Sequence, residues 1–181
     1  MQSKLMDLVI QEKKSDYIVE DYIEELRSYL VKLPYHEIRR ECISGYNRFM
    51  RSNCISSLDF NLRVKPGDIV YCDFGQAYIN EAGFQHFGLV LKLFSYKAFV
   101  IPMSSNTQTI RKAKNYPNSL DSKEHLYYIG MPEGLNKPSV LFLNDAKFIN
   151  TARIIEIKSS LNIEGALFQD ILTGYQDLFK V

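Results

Sequence analysis

At Arg63 the apolar residues change their period from three or four to two, and this switch narrows the folds open to the chain. Before it, Ile18, Tyr22, Leu26, Tyr29, Leu30 and Leu33 recur at helical spacing behind Ser15-Asp16, which predicts a helix with its N-cap at that pair. Pro34 suits the first turn of a second helix, where the N–H it lacks would have no partner anyway. The apolar face of that helix would carry Ile38, Cys42, Tyr46 and Phe49, with Gly45 weakening it slightly. A short leading helix is expected over Leu5 to Glu12. Residues 1–62 hold 9 Lys/Arg against 10 Asp/Glu, so this stretch is amphipathic rather than a basic arm.

After the switch, VKPGDIVYCDF opens on a Pro-Gly turn and alternates Ile69, Tyr71 and Phe74, the pattern of a half-buried strand. GLVLKLF and KAFVIPM read as two more strands joined by a short turn at Ser95-Tyr96. Residues 104–125 are expected to form a long, partly mobile polar connection. HLYYIG, PSVLFLN and ARIIEIK (Ala152–Lys158) predict further strands. Asn162 is placed to cap a closing helix with a buried stripe of Ile163, Leu167, Ile171, Tyr175 and Leu178. Many short strands and one closing helix imply an α+β, mainly β fold: a small, strongly bent antiparallel sheet or barrel. The expected organisation is a helical N-terminal extension over 1–62 and a barrel domain over 63–181.

With 181 residues, 46% of them hydrophobic, the chain can bury a core of its own. A net charge of +1 gives whole-chain charge no role in drawing in a nucleic acid, so any such site must be a local patch. Cys42, Cys54 and Cys72 form no CxxC pair and are odd in number. They read as reduced thiols rather than a disulfide framework or zinc site. Neither a signal-peptide pattern nor a run of about 18 apolar residues occurs, so a cytoplasmic protein with no membrane partner is expected.

No GxGxxG, Walker-type loop, HExxH or GxSxG is present. His36, His86 and His125 lack metal-ligand spacing, so neither a metal site nor a cofactor is expected. Arg111-Lys112-Ala113-Lys114 is a small basic cluster that reads either as a solvated loop or as a phosphate contact. Tyr127-Tyr128 reads as a base-stacking pair or as core.

Four segments, in order, resemble the PemK/MazF (Kid/CcdB-like) toxin superfamily. Gly67-Asp68-Ile69-Val70-Tyr71-Cys72-Asp73 is similar to its G-D-[IV] strand and following aspartate. Asn80-Glu81-Ala82-Gly83-Phe84-Gln85-His86-Phe87-Gly88-Leu89-Val90 is similar in spacing to its S-E-Q-x-G-x-R-P-x-L-V loop. Val100-Ile101-Pro102-Met103-Ser104-Ser105 is similar to V-x-P-[IV]-T-S, and Ser139 to Arg153 carries Lys147, Ile149, Asn150 and Arg153 in register with the last motif.

The resemblance implies an SH3-like bent barrel with a terminal helix, a homodimer, and an antitoxin protein as partner. It implies a metal-independent endoribonuclease whose RNA substrate is cleaved by attack of a ribose 2′-hydroxyl on the adjacent phosphorus. Such a reaction needs a base, an acid for the leaving 5′-oxygen, and donors around the phosphorane. The chain departs from the pattern at His86, where the family keeps an arginine, at Phe87 in place of proline, and at Ser104 in place of threonine. Ser104 keeps a hydroxyl, and an imidazole suits proton transfer near neutrality better than a guanidinium does. Carried over, the catalytic candidates are His86 and Ser104, with Glu81 or Ser104 orienting the imidazole. The substrate-binding candidates are Gln85, Ser105, Asn106, Arg111, Lys112 and Asn144, with Asp145 beside the last. A replacement cation is expected from Arg111–Lys114 or from a second subunit. Two alternatives stay open: a catalytically degenerate binding module of the same fold, and an inhibitor of a protein target of the gyrase-poison type.

Overall fold

The computed structural model describes residues 15–119 and 121–180; the leading helix expected over Leu5 to Glu12 lies outside them. The chain divides into two compact units, residues 1–42 and 43–181. In the first, α1 (Ser15–Leu30) leads through Pro34 into α2 (Tyr35–Arg51). Pro34 sits just ahead of α2, and its carbonyl accepts from the N–H groups of Glu37 and Ile38. Ile18, Leu26, Leu30, Leu33 and Ile38 are half-buried, whereas Tyr22 and Tyr29 stand exposed. The stripe is therefore narrower than the spacing suggested, and the Tyr29 hydroxyl donates to Glu41 at 3.2 Å.

The second half of α2, from Ile43 on, belongs to the larger unit and departs from the expected face. Tyr46 and Phe49 are 67% and 74% exposed, while Ser44 is buried. Ser44, Asn47 and Arg51, three and four residues apart and thus on one side of the helix, make its inward contacts. The Arg51 guanidinium donates to the carbonyls of Ala152 and Ile154 at 2.9 and 2.8 Å and lies 3.9 Å over the Phe60 ring. The segment after α2 makes a 3-10 turn over Ser57–Phe60, with Ser56 and Asp59 forming a reciprocal capping box.

The rest of the larger unit is the expected mainly β, antiparallel architecture with a C-terminal helix. It contains β1 (Asp68–Asp73), β2 (Gln85–Phe94), β3 (Lys97–Ser104), the one-turn α3 (Thr107–Ile110), β4 (Leu126–Gly130), β5 (Ser139–Phe142), β6 (Lys147–Asn150), β7 (Ile154–Ser160) and α4 (Ala166–Asp177). The sheet order is β4-β5-β3-β2-β1-β7, with β6 also paired to β3. One edge of β3 is thus divided: Lys97–Val100 pair with β6, and Met103–Ser104 with β5. Pro102, which has no N–H to offer a ladder, lies in the gap between the two partners. Register shifts leave extra residues in β7 opposite β1, in β2 opposite β3 and in β4 opposite β5, bulges that bend those strands.

Both faces of the sheet are covered. Ile69, Leu89, Ile101, Met103 and Leu141 pack under Phe168 and Ile171 of α4. Val70, Cys72, Phe74, Val90, Val100, Ile149 and Ile154 fill the other side. β1 is therefore buried on both faces rather than half-buried as the alternation of Ile69 and Tyr71 predicted. Burial pushes the Cys72 thiol up; neighbouring Asp73 adds to the effect and Arg153 opposes it. Cys42, Cys54 and Cys72 are all free thiols.

Three further expectations shift. β6 was not foreseen as a strand, and Ala152-Arg153 fall in a 3-10 turn ahead of β7. Asn162 accepts from Glu164 N–H in the turn before α4, and Gly165 occupies the cap position, leaving Ile163 outside the helix and partly exposed. The connection after Ser104 is anchored rather than loose. Ile110 and Ala113 are buried with Leu126 and Val140, the Asn115 amide bonds the N–H and carbonyl of Tyr128 at 2.7 Å each, and Tyr116 packs edge-on against Tyr128.

A candidate functional site at the β2 and β3 ends

The loop between β1 and β2 is closed at its base by backbone bonds: Phe74 N–H donates to Phe84 O at 2.8 Å, and Phe84 N–H to Gly75 O at 2.6 Å. Its far side is held by Ala82, whose N–H donates to Asp145 Oδ2 at 3.0 Å and whose carbonyl accepts from Lys147 Nζ at 2.9 Å. Arg153 donates to the Phe74 carbonyl at 3.1 Å. Two cations, Lys147 and Arg153, therefore bond backbone carbonyls of the loop. Arg111 and Lys112 are exposed just past α3. The tip residues Tyr78 and Ile79 are 87% and 91% exposed.

The predicted site residues separate into two groups. In the first, local bonds occupy the side chain. Glu81 accepts from the Tyr78 N–H at 3.2 Å, within its own loop. Gln85 donates to Asp73 Oδ2 at 3.1 Å. Asn106 caps α3 by accepting from the N–H groups of Gln108 and Thr109. All three of these side chains bond partners within the fold. Asn144 is exposed in a 3-10 turn, and its neighbour Asp145 is the residue that makes the contact with Ala82.

The second group is His86, Ser104 and Ser105. His86 is half-buried near the start of β2 and pairs with Cys72 of β1. Phe87 stands opposite Met103 at the end of the β2–β3 ladder, and His86 and Ser104 are the next residues outward along the two strands. Ser104 Oγ accepts from the Asn106 N–H at 3.1 Å, which leaves its own hydrogen to donate.

Ser104 and Ser105 also line a small open cleft of about 70 Å³ with Phe87, Met103, Leu135, Asn136, Lys137, Ser139 and Lys158. The lining is hydroxyl-rich, carries two lysines and contains no carboxylate. Lys158 lies 3.5 Å from Glu156, both largely exposed. Phe87, not His86, faces this cleft; Ser104 lines it and directly follows the Phe87–Met103 pair. Lys137 and Lys158 escaped the sequence reading because neither falls in a motif. Among the described residues, no group of three His, Cys, Asp or Glu side chains is placed to hold a metal, and no helix is long and apolar enough to cross a membrane.

No family model matches the chain, and no curated protein matches it. Among solved structures it is similar to MazF (form I) from Deinococcus radiodurans, at 17% identity and a TM-score of 0.47, over 65% of this chain and 96% of that one. An endoribonuclease in complex with its cognate antitoxin from a mycobacterial species is similar at 8% identity and a TM-score of 0.44, over 64% of this chain and 93% of that one. The MazE–MazF complex (form II) from Deinococcus radiodurans is similar at 17% identity and a TM-score of 0.38, over 65% and 93%.

Proposed function

We propose that the chain is a metal-independent endoribonuclease of the PemK/MazF kind, acting on single-stranded RNA as a cytoplasmic homodimer and held in check by an antitoxin protein. The observation that carries this reading is the position of Ser104, which lines the lysine-flanked cleft and directly follows the Phe87–Met103 pair that joins its strand to the one bearing His86. The ordered motifs from Gly67 to Arg153 support it.

In the proposed reaction the ribose 2′-oxygen bonds to phosphorus as the P–O5′ bond breaks, giving a 2′,3′-cyclic phosphate and a 5′-hydroxyl. His86 moves a proton, either from the 2′-hydroxyl or to the leaving oxygen. Ser104 donates to a non-bridging phosphate oxygen, and Lys137 and Lys158 offset the charge gathered on the phosphorane. Phe87 offers a ring face to a base.

A second reading rests on His86 lying beside the cleft rather than in its lining, with Glu81 and Gln85 bonded within the fold. On that reading the cleft binds RNA without cutting it. Incubation with a long single-stranded RNA in EDTA separates the two. The enzyme yields discrete fragments ending in 2′,3′-cyclic phosphate, and Ser104→Ala slows their release by about 10²-fold, the usual effect of losing one transition-state donor. Lys137→Ala and Lys158→Ala each weaken RNA binding and reduce its salt slope by roughly 0.7. RNA bound but intact across about pH 5 to 8, the range in which an imidazole titrates, would transfer the case to the binding module.

A further inference from the structure

Asp73 is 3% exposed, and four neutral groups donate to its carboxylate. Oδ1 accepts from Ser44 Oγ at 2.9 Å and from the Gly75 N–H at 2.8 Å. Oδ2 accepts from Asn47 Nδ2 at 3.2 Å and from Gln85 Nε2 at 3.1 Å. Each oxygen thus takes one bond from α2 and one from an end of the β1–β2 loop. A buried carboxylate persists only where donors replace its water, and here α2 supplies half of them. The helix turns a polar side inward at this point, at the expense of leaving Tyr46 and Phe49 in solvent. Gly75 opens the loop, and Gln85 immediately precedes His86.

We propose that Asp73, braced by Ser44 and Asn47, is a positioning residue that fixes both ends of the loop and so sets the place of His86. The second half of α2 is on this view a working part of the site, although it lies outside the stretch that carries the motifs. The inference rests on the ribonuclease reading for its catalytic consequence alone, because the brace has a readout of its own.

The test compares the full chain with Ser44→Ala/Asn47→Ala by amide hydrogen exchange and by RNA cleavage. The double variant should exchange at Gly75 and Phe84 about tenfold faster or more, the equivalent of losing roughly one hydrogen bond. The Ile69 and Leu89 amides in the neighbouring ladder should stay unchanged. On RNA, kcat should fall by about tenfold with KM moving less than twofold, the split expected when only the transition state is affected. Ser44→Thr, which keeps the hydroxyl, should restore both readouts in the Asn47 background. If the double variant does not fold, Asn47→Ala alone, at a half-buried position, serves in its place. Loop amides that keep wild-type exchange overturn the proposal, and so does an equal acceleration throughout the sheet. Absence of cleavage by the unaltered chain would count against the ribonuclease reading and leave the exchange result decisive for the brace.

Discussion

His86→Ala should lower RNA cleavage by about 10²- to 10⁴-fold, the span over which a positioned acid or base contributes, while RNA binding changes by less than about threefold. Binding is expected to survive because the cleft lining consists of Phe87, the serines and two lysines, not the imidazole. The informative partner variant is His86→Arg, which restores the side chain that the resembling family keeps there. A guanidinium is charged at every working pH and donates a fork of bonds, whereas an imidazole changes charge within about pH 5 to 8. The His86→Arg protein should therefore retain part of its activity and lose the pH limb in that interval. Full activity and an unchanged pH profile in both variants would remove His86 from the chemistry.

Gly67→Ala should cost about 2–5 kcal/mol, from a left-handed backbone and an overfilled contact together. Gly67 has φ +90°, and a β-carbon on it would lie 2.4 Å from the Leu161 carbonyl oxygen and 3.1 Å from Ile163 Cγ2. The strand cannot retreat easily, because Gly67 N–H donates to Val90 O and Gly67 O accepts from Leu161 N–H, both at 2.8 Å. At roughly 2–4 °C per kcal/mol for a chain of this size, the melting midpoint should fall by about 4–20 °C. Gly45→Ala is the control: nothing lies within 4 Å of the added carbon, and inside a helix alanine is favoured by up to about 1 kcal/mol. Equal melting midpoints for the two variants would sink the steric account of Gly67.

The succession of strands along the larger unit, β6 apart, was readable in the sequence because turn residues punctuate it: Pro66-Gly67 before β1 and Ser95-Tyr96 between β2 and β3. Burial on both faces of β1 was not, since alternation shows one apolar row and cannot reveal that Val70 and Cys72 also find cover. β6 was hidden by its length of four residues, with Lys147 and Asn150 at its ends. The inward face of α2 was misread because apolar periodicity is blind to a carboxylate elsewhere in the chain that needs donors. In the candidate site, motif order led to His86 and Ser104. It could not foretell that Glu81 and Asn106 accept from nearby backbone N–H groups or that Gln85 donates to the Asp73 carboxylate across the ladder. Lys137 and Lys158 both reach the cleft because the β4–β5 connection meets β7, where Ser159 Oγ donates to the Glu133 carbonyl.

The β1–β2 loop is clamped at Phe74, Gly75, Ala82 and Phe84, with Tyr78 and Ile79 standing clear at its tip. A protease that prefers aromatic residues has an open target at Tyr78. A cut there would sever the chain without parting it. The two pieces still share the ladder from Ile69–Leu89 to Asp73–Gln85, the backbone bonds of Phe84 with Phe74 and Gly75, and the bond from Arg153 to the Phe74 carbonyl. The molecule thus contains a natural seam at which it could be supplied as two complementary fragments, with His86 on one and the Ser44–Asn47–Asp73 brace on the other.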